Sequence, residues 1–415
     1  MNASPYVPVR HINDHYDIVG FISSGTYGRV YKAVSKRNAA QPAPVVKHPS
    51  GRAIEAFAIK KFKPDKEGEL QYTGISQSAI REMALCTELS HPSLIHLVEI
   101  ILESKCIFMV FEYAEHDLLQ IIHHHSLLQR TPIPATTLRS CMHQLLSGLL
   151  YLHQNWVMHR DLKPANIMVT SSGAIKIGDL GLARLFNKPL QPLFSGDKVV
   201  VTIWYRAPEL LLGSRHYTPA IDLWAVGCIF AEMMSLRPIF KGEEAKQDSK
   251  KTVPFQSNQM GKIGDIIGLP RKADWPLLTA MPEYSNLQSV SMHSPGVNRP
   301  MGLDKWYRNT ISNNNYAKAS PPEDSALDLL KKLLEYDPLK RLTAEKALEH
   351  AYFTASADGK PPSGNCFEGL ETKYPARKVS TEAHEIATSS LPGTKRTGVP
   401  DDGMLRPQAK KLREV

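Results

Sequence analysis

The sequence lacks the features that mark membrane proteins, disulfide-bonded secreted proteins and zinc proteins. Its longest apolar runs are too short to span a bilayer, and no apolar signal segment follows Met1, so we expect no membrane partner. Cysteines are few, odd in number and scattered, with no C-x-x-C pair, at Cys86, Cys106, Cys141, Cys228 and Cys366. These absences argue against a disulfide framework or a zinc site and favour a reducing compartment.

Acidic residues are also in deficit, because 41 Asp and Glu against 50 Lys and Arg give a net charge of +9. Such a balance can indicate nucleic acid or acidic partners. No basic–aromatic repeat is present, however, so we favour a mildly basic surface and expect no direct nucleic-acid partner. With 415 residues the chain exceeds one compact core, which predicts two lobes or domains.

Three motifs carry the candidate catalytic residues. They are HRDLKPAN at 159–166, DLG at 179–181 and APE at 207–209. Asp161 can accept or orient the hydroxyl proton of a Ser or Thr, and Lys163 can reach the same phosphate. Asn166 and Asp179 can supply oxygen ligands to Mg²⁺. Such residues could merely satisfy one another in a buried loop, but three motifs in this order are a specific signal. On these motifs the chain resembles the eukaryotic protein kinases over residues 16–354.

That resemblance implies an α+β, bilobal protein kinase fold. Its parts would be a small β-rich N-lobe with one key helix (16–111), a hinge (112–117) and a larger, mainly helical C-lobe (118–354). An N-terminal tail would occupy 1–15. After about Phe353 the composition shifts to Pro, Gly, Ser, Thr and charge, which predicts a disordered basic tail over 355–415. Its basic clusters at 395–396 and 410–413 are compatible with a bipartite nuclear import signal or with a solvated tail.

ATP is the expected co-substrate. Gly25 and Gly28 would let the turn between the first two strands approach a phosphate. Strand periodicity puts Ala58 and Lys60 on one face, so Ala58 could lie against adenine while Lys60 reaches the phosphates. Lys60 could instead be an ordinary exposed lysine, but the downstream motifs argue against that. The resemblance implies further ATP-binding residues at Ile22, Val30, Phe111, Glu112, Ala114, Asp117 and Met168.

A helix is predicted within 74–91 from its apolar residues at helical spacing. Glu82 falls on its otherwise apolar stripe, together with Ala79 and Cys86. A carboxylate there needs a cation, and Lys60 is the candidate. The string SAIRE in this segment resembles the cyclin-docking helix of the cyclin-dependent kinases.

The activation segment, 179–209, departs from the family twice. Leu180 stands where Phe is usual, and Asp197 stands where many members carry a phosphorylatable Thr. Such a phosphate would pair with three arginines, and three buried cations without an anion would be costly. We therefore expect a carboxylate, from Asp197 or from a partner protein, to replace it, although Asp197 could be a solvated loop acid. The arginines are Arg81, Arg160 and Arg184.

Three other positions carry expectations from the resemblance. Asp222 should brace the backbone of the HRD turn, and Glu209 should pair with Arg341. Arg206 matches kinases that prefer proline after the target residue, where an ordinary residue would leave its N–H unpaired.

A narrower resemblance comes from the strings SQSAIRE, YAEHDL, HQNW, ARLFNKPLQPL and KYPARK, together with Leu180 and Asp197. They are similar to the Mediator-associated cyclin-dependent kinases of the CMGC group, in a fungal form. The resemblance implies a nuclear Ser/Thr kinase that uses Mg²⁺ and phosphorylates Ser/Thr-Pro sites in RNA polymerase II C-terminal repeats and transcription factors. The implied partners are a cyclin C-type cyclin and the Mediator kinase-module subunits.

Two alternatives stay open. The first is a catalytically silent scaffold of a transcription complex, although every catalytic position is filled. The second is another proline-directed kinase, such as a mitogen-activated one, although the T-x-Y of those kinases is absent between Leu180 and Thr202.

Overall fold

The structure of the chain, a computed structural model, covers most of the predicted kinase region and part of the predicted tail. It describes residues 11–24, 28–36, 54–62, 77–103, 106–186, 203–245, 254–293, 295–313, 323–354, 361–370 and 374–380. In these ranges no helix combines the length and apolar character that crossing a membrane requires.

The small lobe is built on a five-stranded antiparallel sheet of order β1-β2-β3-β5-β4. Phe57 and Ile59 are buried on one face of β3, whereas Ala58 and Lys60 lie half-buried on the other, as the period of two predicts. The strands are β1 (Tyr16–Ser24), β2 (Gly28–Ser35), β3 (Ala56–Phe62), β4 (Leu97–Glu103) and β5 (Cys106–Glu112). The helices are α1 (Ile12–His15), before β1, and α2 (Gln77–Glu88), between β3 and β4.

Gly28, expected to approach a phosphate, has a packing requirement of its own. A Cβ at this position would overlap the carbonyl oxygen of Lys61 on the neighbouring strand β3. Only glycine therefore lets β2 and β3 come this close.

The large lobe is organised around α6 (Ala220–Ser235), in which every residue from Ile221 onward is buried. This burial explains its apolar sequence on all sides. The other helices are α3 (Leu118–His123), α4 (Ala135–Gln154), α5 (Pro208–Leu211), α7 (Ser257–Ile267), α8 (Leu287–His293), α9 (Leu303–Asn313), α10 (Asp324–Leu333), α11 (Ala344–Leu348) and α12 (Ala351–Thr354). A π-helical segment (His124–Gln129) continues α3.

Short elements of the large lobe carry the predicted chemical motifs. The strands are β6 (His116–Asp117), β7 (Val157–Met158), β8 (Ile167–Val169), β9 (Ile175–Ile177) and β10 (Arg184–Leu185), paired as β6-β8-β9 and β7-β10. Short 3₁₀-helical segments occupy Pro164–Asn166, Leu180–Leu182, Ile203–Tyr205, Pro276–Ala280, Tyr284–Asn286 and Pro295–Asn298.

Part of the predicted disordered tail is ordered against the domain, so that prediction was wrong for 361–370 and 374–380. Cys366 is 1% exposed in the large core, where Phe367 and Tyr374 also pack. A few well-spaced apolar residues suffice to anchor a segment whose average composition is polar. The two basic clusters of the tail lie outside the described residues.

The expected pairing of Glu209 with Arg341 is confirmed. Arg341 donates from Nη1 and Nη2 to the two Glu209 oxygens at 2.8 and 3.0 Å. The two side chains are 0% and 3% exposed. This bidentate contact fixes the end of the activation segment to the large lobe.

We expect Glu209→Ala to lower the free energy of unfolding by about 3–5 kcal/mol, because it leaves Arg341 as an uncompensated buried charge. Denaturant unfolding measures the change. Asp304→Ala is the matched control, because it removes an exposed partner of Lys331 and should cost under about 1 kcal/mol. Equal losses in the two variants would contradict the assigned role of the buried pair.

Candidate active site

One ammonium group joins three separate elements of the fold. Lys60 on β3 donates from Nζ to both carboxylate oxygens of Glu82 on α2, each at 2.7 Å. The same Nζ lies 3.0 Å from Oδ1 of Asp179, which follows β9. The predicted pairing of Lys60 with Glu82 is therefore confirmed, and α2 is docked against the sheet.

The charges of this group hold one another in place. Burial alone favours the neutral amine, but the carboxylates of Asp179 and Glu82 outweigh it and raise the pKa of Lys60. In return, the Lys60 ammonium lowers the pKa of Asp179 below its ordinary value. Both groups are therefore charged at neutral pH, which suits a site that binds phosphates through a cation and metal through an anion.

Asp161 lies beside this group with one oxygen uncommitted. Its Oδ2 accepts from Lys163 Nζ at 2.8 Å and from Asn166 Nδ2 at 3.1 Å. Its Oδ1 is buried and has no hydrogen-bond partner among the described residues. Burial raises the pKa of Asp161 and nearby Asp179 adds to the rise, against the opposing effect of Lys163. A buried acceptor without a donor is suited to a substrate hydroxyl.

The loop that carries Asp161 is braced from below. Asp222 on α6 accepts from the backbone N–H groups of His159 and Arg160, both at 2.9 Å. Arg160 adopts a left-handed conformation with φ of 67°, a region uncommon for residues other than glycine. The expected bracing of the HRD turn by Asp222 is thus confirmed, and it offsets the strain of the turn.

Asn166 and Asp179 fit the expected divalent metal. Asn166 Nδ2 donates to the Asp161 carboxylate and, at 2.8 Å, to the Asp161 backbone oxygen. The side-chain amide oxygen of Asn166 is therefore the atom that can coordinate a metal. Asp179 is held at φ 62°, and its side chain is 43% exposed. Two oxygen ligands are a typical protein share for Mg²⁺, which keeps several waters and binds substrate phosphates.

The residues expected around adenine are brought together by strand pairing. Ala58 on β3 lies opposite Phe111 on β5, and Val30 on β2 lies opposite Lys60. Ile22 is half-buried on β1, and Met168 is half-buried on β8. Their contacts with a nucleotide stay predictions. Gly25 lies outside the described residues.

The hinge residues carry contacts that the sequence did not predict. Glu112 donates its backbone N–H to the His96 carbonyl at 3.0 Å, so only its carbonyl is left for a ligand. Its carboxylate is buried against Lys176, with Oε1 2.7 Å from Nζ. Ala114 is buried beside it. The Glu112–Lys176 pair ties the hinge to β9, which leads to Asp179.

Asp117 is engaged on both carboxylate oxygens. Oδ1 accepts from the Gln120 N–H at 2.8 Å and caps α3, and Oδ2 lies 3.0 Å from Nη2 of Arg377. Sequence reasoning missed Arg377 because it falls in the tail predicted to be disordered. The only available signal was the string KYPARK, noted above for its resemblance.

Two of the three predicted pocket arginines contact the last residue of DLG and the residue that follows it. Arg81 on α2 donates to the Gly181 carbonyl at 2.8 Å, and Arg160 donates to the Leu182 carbonyl at 2.7 Å. Arg184 follows on β10, paired with Met158. Asp197, proposed as their anion, lies outside the described residues, so this interpretation stays a prediction.

Comparison with known proteins agrees with this geometry. The protein kinase domain family matches residues 16–353. The serine/threonine-protein kinase SSN3 of Phaeosphaeria nodorum is 68% identical over 413 residues, which cover 98% of this chain and 89% of that protein. The proteins of that name in Aspergillus fumigatus and Aspergillus niger are 64% and 65% identical, covering 100% and 99% of this chain and 94% of each relative. The chain therefore belongs to the protein kinase family, and it is a serine/threonine protein kinase.

Proposed function

We propose that this kinase is cyclin-dependent and proline-directed, and that it acts in the nucleus within the Mediator kinase module. Its proposed substrates are the RNA polymerase II C-terminal repeats and transcription factors. The contact that carries the catalytic part of the proposal is the Lys60 ammonium, held at once by Glu82 and Asp179. The Mediator and substrate parts are supported by the sequence resemblance.

The proposed reaction depends mainly on positioning. Lys60 binds the phosphates of ATP, and Glu82 keeps the ammonium directed at them. Asn166 and Asp179 would hold Mg²⁺, and a bound Mg²⁺ would offset the charge on the phosphate oxygens. Most of the rate gain then comes from alignment and charge neutralisation.

The proton is handled by Asp161. The free, buried Oδ1 accepts a hydrogen bond from the Ser or Thr hydroxyl, whose oxygen attacks the terminal phosphorus. The new P–O bond forms as the bond to ADP breaks, and Asp161 takes the hydroxyl proton. Lys163, already 2.8 Å from the other oxygen of Asp161, steadies the transferring group.

The proposed cyclin dependence is supported by the contacts of α2. Ser78 Oγ and Arg81 Nη1 both donate to the Gly181 carbonyl, at 3.1 and 2.8 Å, so the helix and the DLG turn move together. Ile80, between them, is 50% exposed. A partner that covers this apolar residue would hold the helix, and with it Glu82, in the docked position.

Asp161→Asn should lower kcat roughly a hundredfold or more, because the amide cannot accept the proton. The affinity for ATP should stay nearly unchanged, since Asp161 contacts the hydroxyl. Steady-state kinetics and calorimetric ATP binding measure the two effects. Asp274→Asn, at an exposed acid of the large lobe, is the control and should alter neither. Equal losses of turnover and ATP affinity in Asp161→Asn would count against the assigned role.

The partner and the substrate preference are tested together. The protein is co-purified from cells, the proteins that accompany it are identified, and transfer to a Ser-Pro heptad peptide is measured with and without them. We expect a co-purifying cyclin to be required, and a peptide with Ala in place of Pro to react much more slowly. Transfer that is equal without the cyclin, or equal for the Ala peptide, would remove the corresponding part of the proposal. ATP–Mg²⁺ binding without any transfer would favour the scaffold alternative.

A further inference from the structure

Residues 374–380, called the strap below, run from the hinge to the first strand of the N-lobe. The Arg377 N–H donates to the Glu115 carbonyl at 2.7 Å. Three residues later, Ser380 and Phe21 exchange two backbone hydrogen bonds, at 2.8 and 2.9 Å. The strap therefore contacts both the hinge and β1, the strand that leads into the glycine turn.

The start of the strap is fixed to the C-lobe. Tyr374 Oη lies 2.8 Å from Nε2 of His125, and its ring packs 5.5 Å from that imidazole. The Pro375 carbonyl lies 3.1 Å from Nδ1 of His116, a hinge residue on β6, which pairs with β8 of the C-lobe. A segment anchored in one lobe and paired with a strand of the other limits how far the lobes separate.

Arg377 secures the middle of the strap at the edge of the cleft. Its Nη2 contacts Asp117, the residue expected at the mouth of the nucleotide pocket, at 3.0 Å. Both side chains are largely buried, at 16% and 13% exposure. Desolvated pairs of this kind are screened little by salt. The contact thus holds the strap beside the pocket.

The pairing of β1 with the strap requires glycine at position 20. A Cβ on Gly20 would lie 2.7 Å from both the Ser380 carbonyl oxygen and Cγ1 of Val379. Contacts this short do not persist, so any side chain at position 20 displaces the strap or the strand. Glycine at this position is what admits the pairing.

We propose that the strap positions β1 over the nucleotide, with Arg377 and Ser380 as positioning residues that raise the affinity for ATP. The inference rests on the nucleotide site proposed above. Pairing β1 with the strap restricts the freedom of the glycine turn before ATP arrives, which lowers the entropy lost on binding. The chemical step depends on Lys60, Asp161 and Asp179, none of which contacts the strap in the described residues.

The test uses the full-length chain, with whatever partner co-purifies, and two variants that release the strap from opposite sides. Ser380→Pro removes the N–H that donates to Phe21, and Gly20→Ala inserts a methyl group against the strap. Ser380→Pro deletes one of the two backbone hydrogen bonds and weakens its neighbour, which should raise the KM for ATP roughly five- to tenfold. The kcat and the KM for the peptide should stay close to those of the unaltered protein.

Lys378→Ala is the control: it removes an exposed strap cation and leaves the backbone pair intact, so it should match the unaltered protein. Arg377→Ala should also raise the KM for ATP, and Arg377→Lys should restore part of the affinity through Asp117. Hydrogen exchange at the Phe21 amide, which donates to Ser380, reports directly whether the strap has been released.

If the pairing at Phe21 were released and the KM for ATP did not change, the proposal would be overturned. An equal rise in KM in Lys378→Ala and Ser380→Pro would also overturn it. If the unaltered protein and the strap variants are equally active, the proposed role of the strap is wrong and the proposed function stands. An unaltered protein that transfers no phosphate, with or without its partner, rejects the proposed function instead.

Discussion

The need to neutralise the largely buried ammonium of Lys60 organises this molecule. Lys60 lies on a central strand of the small lobe, and its charge is tolerable there only with carboxylates close by. Glu82 brings α2 against the sheet, and Asp179 brings in the segment that follows β9, with contacts of 2.7 and 3.0 Å. Three elements distant in sequence therefore meet in one group of ion pairs. The triphosphate and its metal ion are proposed to bind at the same group.

Contacts of α2 and contacts of the hinge fix the rest of the site relative to the Lys60 group. On one side, Ser78 and Arg81 of α2 bind the Gly181 carbonyl, so the helix cannot shift without moving the residues after Asp179. On the other, the buried Glu112–Lys176 pair and the strap join the hinge to β9 and to β1. The catalytic loop has its own support, because Asp222 satisfies the strained HRD turn from within the large lobe. Positioning of this kind matches a reaction whose barrier is lowered mainly by alignment.

Much of this could be predicted from the sequence, and the exceptions have a common physical cause. The Lys60–Glu82 pair followed from strand and helix periodicity plus the cost of an unpaired carboxylate. The Asp222 and Glu209 contacts followed from resemblance. Arg377 was missed because its partner, Asp117, is 260 positions away and no local pattern encodes such a contact. The packing of Cys366 and Tyr374 was missed for a similar reason. The average composition of the tail is polar and gives no sign of single residues that pack against the domain. Gly28 was assigned a ligand role, while the structure shows that the β2–β3 contact alone requires it.

A double-mutant cycle on kcat/KM for ATP tests the central contact most directly, with Lys60→Met, Glu82→Gln and the combined variant assayed in the full-length chain. If Glu82 acts only through the lysine, the combined variant should lose no more activity than Lys60→Met alone, because the second change has nothing left to disturb. Losses that instead multiply would mean that the two residues act independently, and the account of one shared ammonium organising the site would be wrong.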